Sequence, residues 1–201
     1  VRPTAGHPVV VAKNAEAGVA APTVLYYGHY DVQPPDPLDE WRTAPFEPAF
    51  EEGPHGRRIV ARGAVDDKGQ LMTFVEAFRA WRAVHGRLPV NATVMLEGEE
   101  ESGSPSLAAF LESVRRDLAA DVCVVSDTNM WDVRTPAITY MLRGLVYLEA
   151  TLHGPGHDLH SGMYGGAALN PNDALAAIVA RLHDDRRRVT IEGFYDDVIE
   201  P

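Results

Sequence analysis

The stretch "ATVMLEGEEESGSPSLAAFLESVRRDL", Ala92–Leu118, carries three kinds of sequence in a row. Ala92–Leu96 is a short apolar run with little in–out alternation, the pattern of a strand covered on both faces. Glutamate then fills four of the five positions from Glu97 to Glu101. Leu107, Phe110, Leu111, Val114 and Leu118 follow at the spacing of one helix face. Ser104 and Pro105 suit the N-cap and first position of that helix. A strand, an acidic turn and a helix in sequence define a βα unit.

The same alternation extends outward. Val9–Ala12, Thr23–Tyr27, Arg58–Ala61 and Val122–Val125 read as further strands. Leu71, Phe74, Val75 and Phe78 mark a second amphipathic helix. The fold class is therefore α/β, a largely parallel sheet flanked by helices. Near Arg143–Gly144 the pattern changes. "LVYLEATLHG" (Leu145–Gly154) alternates like a half-exposed strand, and the glycine-rich loop "GPGHDLHSGMYGG" (Gly154–Gly166) follows. A helix is then expected from "NPND", capped by Asn170 and burying Leu175, Ile178, Val179 and Leu182, before a strand over "RVTIEGF" (Arg188–Phe194). Residues 1–143 read as the N-terminal part of one domain, and residues 144–201 as the first part of a smaller α+β domain. The opening at Val1 and the close at "GFYDDVIEP" lead us to expect an internal piece of a longer protein.

In open α/β sheets, ligands bind beyond the carboxyl ends of the strands. Four predicted strand ends carry metal-type ligands: His29 and Asp31, Asp66 and Asp67, the glutamate cluster, and Asp127. Taken singly, each has an ordinary structural role. Asp66–Asp67 would cap a helix, the glutamates would be a solvated loop, and Asp127 would sit in a turn. Taken together, crowded carboxylates repel more strongly as water is excluded, and a divalent cation relieves the repulsion. Histidine and carboxylates without cysteine suit Zn²⁺ or Mn²⁺. A set this rich can hold two ions with one carboxylate bridging them, an arrangement that activates water for hydrolysis.

Composition narrows the classes further. With 18 Lys and Arg against 29 Asp and Glu the formal charge is −11, which argues against a nucleic-acid binder. No apolar run reaches the ~20 residues of a membrane helix. Cys123 is the only cysteine; no intrachain disulfide is possible, and a reducing, cytoplasmic setting is expected. Within "DVCVVSD" it reads as a small core residue.

Five motifs, "YYGHYDVQP", "ARGAVDDKGQ", "EGEEESGS", "VSDTN" and "HDLHSGMYGG", stand in the order and approximate spacing of the dinuclear zinc peptidases related to carnosinase, carboxypeptidase G and aminoacylase. "DPLDEWRTAPFEP" and "GFYDDV" resemble the dipeptidase branch of that family. The resemblance implies a catalytic domain interrupted by a lid domain through which homodimers form. It implies two divalent ions, zinc before manganese or cobalt, acting on a dipeptide or small peptide. By motif, His29 would bind one ion and Asp66 would bridge both. Asp127 would complete the first ion's ligands, and Glu101 would bind the second. Glu100 would be the general base for a metal-bridged water, and Asp31 would orient the His29 ring. The Asp66–Asp67 peptide would be cis. His160 would reach the partner's site and stabilise the oxyanion. The last ligand of this family, a histidine, falls beyond residue 201. An N-acyl amino-acid deacylase and a non-catalytic metal-binding or dimerisation module are the alternative readings. Met141 carries no functional account.

Overall fold

The computed structural model describes residues 1–199. It falls into two compact units, one ending at Tyr140 and one beginning at Met141. In the first unit, β1 (Val10–Asn14), β2 (Thr23–His29), β5 (Asn91–Glu97) and β6 (Val122–Val125) form one sheet in the order β1-β5-β2-β6. β2 runs parallel to both β5 and β6, and β1 runs antiparallel to β5. The sheet is mixed and mostly parallel, flanked by helices, as the patterning implies.

The two faces of β2 explain why its sequence does not alternate. Tyr26, buried, stacks on Phe74 of helix α1 (Lys68–His85) with ring centroids 4.1 Å apart. Leu25 and Tyr27 face the other way, toward a core of Val9, Met95, Phe110 and Leu118. Phe110 belongs to helix α2 (Leu107–Val114). Both faces are thus apolar because a helix lies on each. The four residues expected on the inner face of α1 are half-buried, and Met72 and Trp81 are exposed.

Several expectations are corrected. Arg58–Ala61 does not enter the sheet; Gly56–Val60 is β4, paired antiparallel with β3 (Ala49–Gly53) in a separate hairpin. Its charged sequence, "GRRIV", suits a hairpin exposed to water. Cys123 is exposed, because β6 is the edge strand and no element among the described residues covers its outer side. Helix α2 begins at Leu107 with Ser106 at its N-cap, and Ser104 has φ +52°. Glu99 is the reason: its carbonyl accepts the Ser104 N–H at 2.7 Å and its carboxylate accepts the Ser106 N–H at 3.1 Å.

In the second unit, α3 (Ser161–Tyr164) is a single turn and α4 (Pro171–Ala180) opens as expected, with Asn170 Oδ1 accepting the Asn172 N–H at 2.9 Å. Ile178 and Val179 are exposed rather than buried. The strands expected over Leu145–Gly154 and Arg188–Phe194 do not form; the second contributes one bridge, His183 to Val189. A strand persists only where a neighbour completes its ladder, and here the pairing stops at two backbone hydrogen bonds, Thr190 to Leu182 and Asp184 to Arg188.

Candidate metal centre

The parallel pairing of β2 with β5 sets Gly28 opposite Leu96 and His29 opposite Glu97. The chain leaving β2 and the acidic turn leaving β5 therefore emerge side by side. Ser126 and Asp127 follow β6 on the other side of β2. Asp66 arrives differently, from the loop between the β4 hairpin and α1. Three sheet strands and one loop, rather than four strands, converge.

His29 lies at the centre and is fully buried. Its Nδ1 is 3.2 Å from Asp31 Oδ1, and its Nε2 is 3.0 Å from Asp66 Oδ1. Asp127 Oδ2 and Glu100 Oε2 approach Nε2 at 3.8 and 3.9 Å. Donor atoms of His29, Asp66 and Glu101 lie within 4.8 Å of one another, as do those of His29, Glu100 and Asp127. Asp31 supports the group from behind. Its Oδ1 accepts the Glu100 N–H at 3.3 Å and its Oδ2 accepts the Glu101 N–H at 3.0 Å. The acidic turn is a short 3₁₀ helix, Glu100–Ser102, which aims two successive carboxylates into the same space. The structure thus brings together His29, Asp31, Asp66, Glu100, Glu101 and Asp127. The Asp66–Asp67 peptide is cis.

Electrostatics oppose this cluster unless a cation joins it. Burial pushes the carboxyl of Glu100 up; His29 pulls it down, but Glu101, Asp127 and Asp31 add to the rise. Asp127 is raised by burial and then by Asp66. Burial would lower His29, but the carboxylates of Glu100, Asp67, Asp31 and Asp66 outweigh it and hold the imidazole up. No lysine or arginine among the described residues pairs with any of these carboxylates; Lys68 donates instead to the Tyr30 carbonyl. One imidazole nitrogen and several oxygens, without thiolate, fit a divalent ion of the zinc or manganese type.

Four further residues support the cluster through contacts that sequence patterning does not show. Asp67 reads as a helix cap, yet its side chain caps nothing and Oδ2 accepts the His29 N–H at 3.0 Å. Gln33 Nε2 donates to Glu101 Oε2 at 2.6 Å. Glu97, buried, accepts the Tyr27 hydroxyl and the Ser104 hydroxyl. Glu99 is tied to His7 and Ser106, whose hydrogen bonds hold its carboxyl below the usual range. Asp67, Glu97 and Glu99 stand inside the acidic clusters the sequence shows, whereas Gln33 leaves no signal in it. His160 lies in the second unit at the N-terminus of α3, where its Nδ1 accepts the Gly162 N–H at 3.0 Å.

A mostly parallel sheet with histidine and carboxylates gathered at its carboxyl edge defines an α/β protein with a candidate divalent-metal site. The chain belongs to peptidase family M20/M25/M40, which matches residues 25–141, and residues 140–197 match the peptidase dimerisation domain. It is 38% identical over 180 residues to a Cys-Gly metallodipeptidase of Schizosaccharomyces pombe, covering 89% of this chain and 37% of the relative. It is 35% identical over 195 residues to the Beta-Ala-His dipeptidase of Homo sapiens, covering 96% and 38%. Among solved structures, the M20 family metallo-carboxypeptidase Sso-CP2 from Sulfolobus solfataricus superposes with a TM-score of 0.75 at 38% identity, covering all of this chain and 44% of that one. Human carnosine dipeptidase 1 superposes at 0.67 with 33% identity, covering 96% and 40%. The chain therefore spans well under half the length of these relatives.

Proposed function

We propose that the protein hydrolyses dipeptides, with His29, Asp66, Glu101 and Asp127 holding two divalent ions, zinc foremost, and Glu100 as general base. The observation that carries this reading is the Glu100–Glu101 turn. Two adjacent carboxylates enter one cation-demanding cluster, and a site that only bound metal would need no second one placed beside its ligands. The bound ions would acidify a water and polarise the scissile carbonyl. Glu100, raised by burial, is suited to take a proton from the attacking water and return it to the leaving amine. Asp31 accepts the N–H groups of both glutamates and faces Nδ1 of His29, so it fixes proton carrier, ligand and ring together. Asp66 would bridge the two ions.

In this reading residues 1–143 belong to the catalytic domain and residues 144–201 open the lid, through which a homodimer forms, in keeping with the dimerisation-domain match. His160 would stabilise the oxyanion across the dimer. A cytoplasmic location accords with the single cysteine, and no helix among the described residues is long and apolar enough to cross a membrane. The Cys-Gly and Beta-Ala-His dipeptidase relatives favour a dipeptide over an N-acyl amino acid as substrate. The test is hydrolysis of Cys-Gly, Beta-Ala-His and N-acetyl-methionine by the full-length protein, before and after chelation and zinc return. Chelator-sensitive cleavage of a dipeptide is expected. Preference for the acetylated amino acid would establish the deacylase alternative, and no cleavage would leave a binding module.

A further inference from the structure

Glu99 stands next to the two glutamates of the proposed site, yet it points away from them. It is 8% exposed, and both carboxylate oxygens are committed. Oε1 accepts the His7 N–H at 3.1 Å and Oε2 accepts the Ser106 N–H at 3.1 Å. Its carbonyl accepts the N–H groups of Ser102 at 3.1 Å and Ser104 at 2.7 Å, and the Ser102 hydroxyl at 3.1 Å. One residue therefore holds the backbone of the acidic turn at Ser102, Ser104 and Ser106, downstream of Glu100 and Glu101.

The partner on the far side is itself fixed. Thr4 Oγ1 donates to the His7 carbonyl at 2.7 Å and accepts the Gly6 N–H at 3.0 Å, which closes the loop on itself. Arg2 and Val9 exchange backbone hydrogen bonds at 2.7 and 2.9 Å, and Val9 is a core residue. Tyr30 Oη donates to the Pro8 carbonyl at 2.6 Å, linking the same loop to the strand end that bears His29 and Asp31. Gly6 has no room for a side chain: a Cβ there would fall inside the van der Waals radius of Glu99 Oε1. Glu99 and this loop are built against each other.

We infer that Glu99 is a positioning residue for the proposed hydrolysis: clamped between the Thr4–Pro8 loop and the start of α2, it sets where the Glu100–Glu101 turn places its carboxylates. The inference rests on the dipeptidase reading. Asp31 holds the turn by its first two N–H groups, while the Glu99 carbonyl takes Ser102 and Ser104 and its carboxylate anchors that carbonyl to His7 and Ser106, so releasing either carboxylate lets the turn drift. Gly6→Ala is the informative companion to Glu99→Gln, because the added methyl evicts an intact carboxylate from its pocket.

Both variants and their double are made in the full-length, zinc-loaded protein and assayed on Cys-Gly, with zinc content measured. Each single variant should lose about 10- to 100-fold in kcat when kept zinc-saturated, with KM unchanged. The double should be no slower than the slower single, since both act through one contact. In the metal-free protein, hydrogen exchange should quicken at residues 100–106 while β5 stays protected. Full kcat with unaltered exchange in the turn, or additive losses in the double, would overturn the inference. If Glu99→Gln does not fold, Gly6→Ala decides by the same measures. A parent that cleaves no dipeptide refutes the dipeptidase reading, and the exchange measurement alone then decides the role of Glu99: unchanged protection in the turn refutes it.

Discussion

Asp31 holds Glu101 by its backbone, the Glu101 N–H donating to Asp31 Oδ2 at 3.0 Å, while the other oxygen of the same carboxylate faces His29 Nδ1 at 3.2 Å. One carboxylate thereby fixes the spacing between two of the residues proposed to hold metal. Replacing it with asparagine would turn an amide N–H₂ toward donors that need an acceptor. Asp31→Asn is expected to weaken zinc binding about 10- to 100-fold, read by competition with a chromophoric chelator. Unchanged affinity would remove Asp31 from the supporting role.

The adjacent glutamates should separate by experiment. Glu100→Gln keeps the size and one oxygen of the side chain but removes the proton acceptor. It should retain metal and lose about 10²- to 10⁴-fold in turnover. Glu101→Ala should lose metal occupancy as well as turnover. Metal analysis beside a dipeptide assay distinguishes the two, and near-normal turnover in Glu100→Gln would end its assignment as base.

Asp67 makes a structural prediction at the same site. It is fully buried, and Oδ2 accepts the His29 N–H at 3.0 Å. Asp67→Ala would leave that N–H without a partner, at a cost of about 1–3 kcal/mol. Gly28 belongs to the same contact, for a Cβ there would meet Asp67 Oδ2 at 2.7 Å and Tyr26 at 3.2 Å. Gly28→Ala should therefore destabilise in the same direction. Denaturant midpoints of the metal-free protein provide the check, and wild-type midpoints in both variants would contradict the contact.

The parts legible in the sequence are those in which one residue type answers one local demand. The βα unit at Ala92–Leu118 reads directly because a strand covered on both faces cannot alternate and a one-sided helix must. The gathering of His29, Asp31, Asp66, Glu100, Glu101 and Asp127 reads because so many strand ends carry histidine or carboxylate together. Pairing is what escaped. The charged segment "GRRIV" is β-rich enough to resemble a sheet strand, and only its antiparallel partner, Ala49–Gly53, puts it in a hairpin. Ser104 and Pro105 suit a helix start, yet the Glu99 carbonyl takes the Ser104 N–H and delays the helix to Leu107. Gln33 and Glu99 act through contacts at sequence separations of 68 and 92 residues, which no local pattern records.

His160 Nδ1 accepts the Gly162 N–H, so the neutral imidazole carries its proton on Nε2 and presents that nitrogen as a donor. A donor of fixed tautomer is what a developing oxyanion requires. His160→Ala should lower kcat by about 10²- to 10³-fold, with zinc content unchanged. The proposal that it serves the partner's site has a sharper test. Mixing inactive His160→Ala and Glu100→Gln proteins under subunit exchange should restore activity, because one site of the mixed dimer then has both an intact Glu100 and an intact His160. If each histidine served its own subunit, no mixed dimer would contain a complete site, and the mixture would remain inactive.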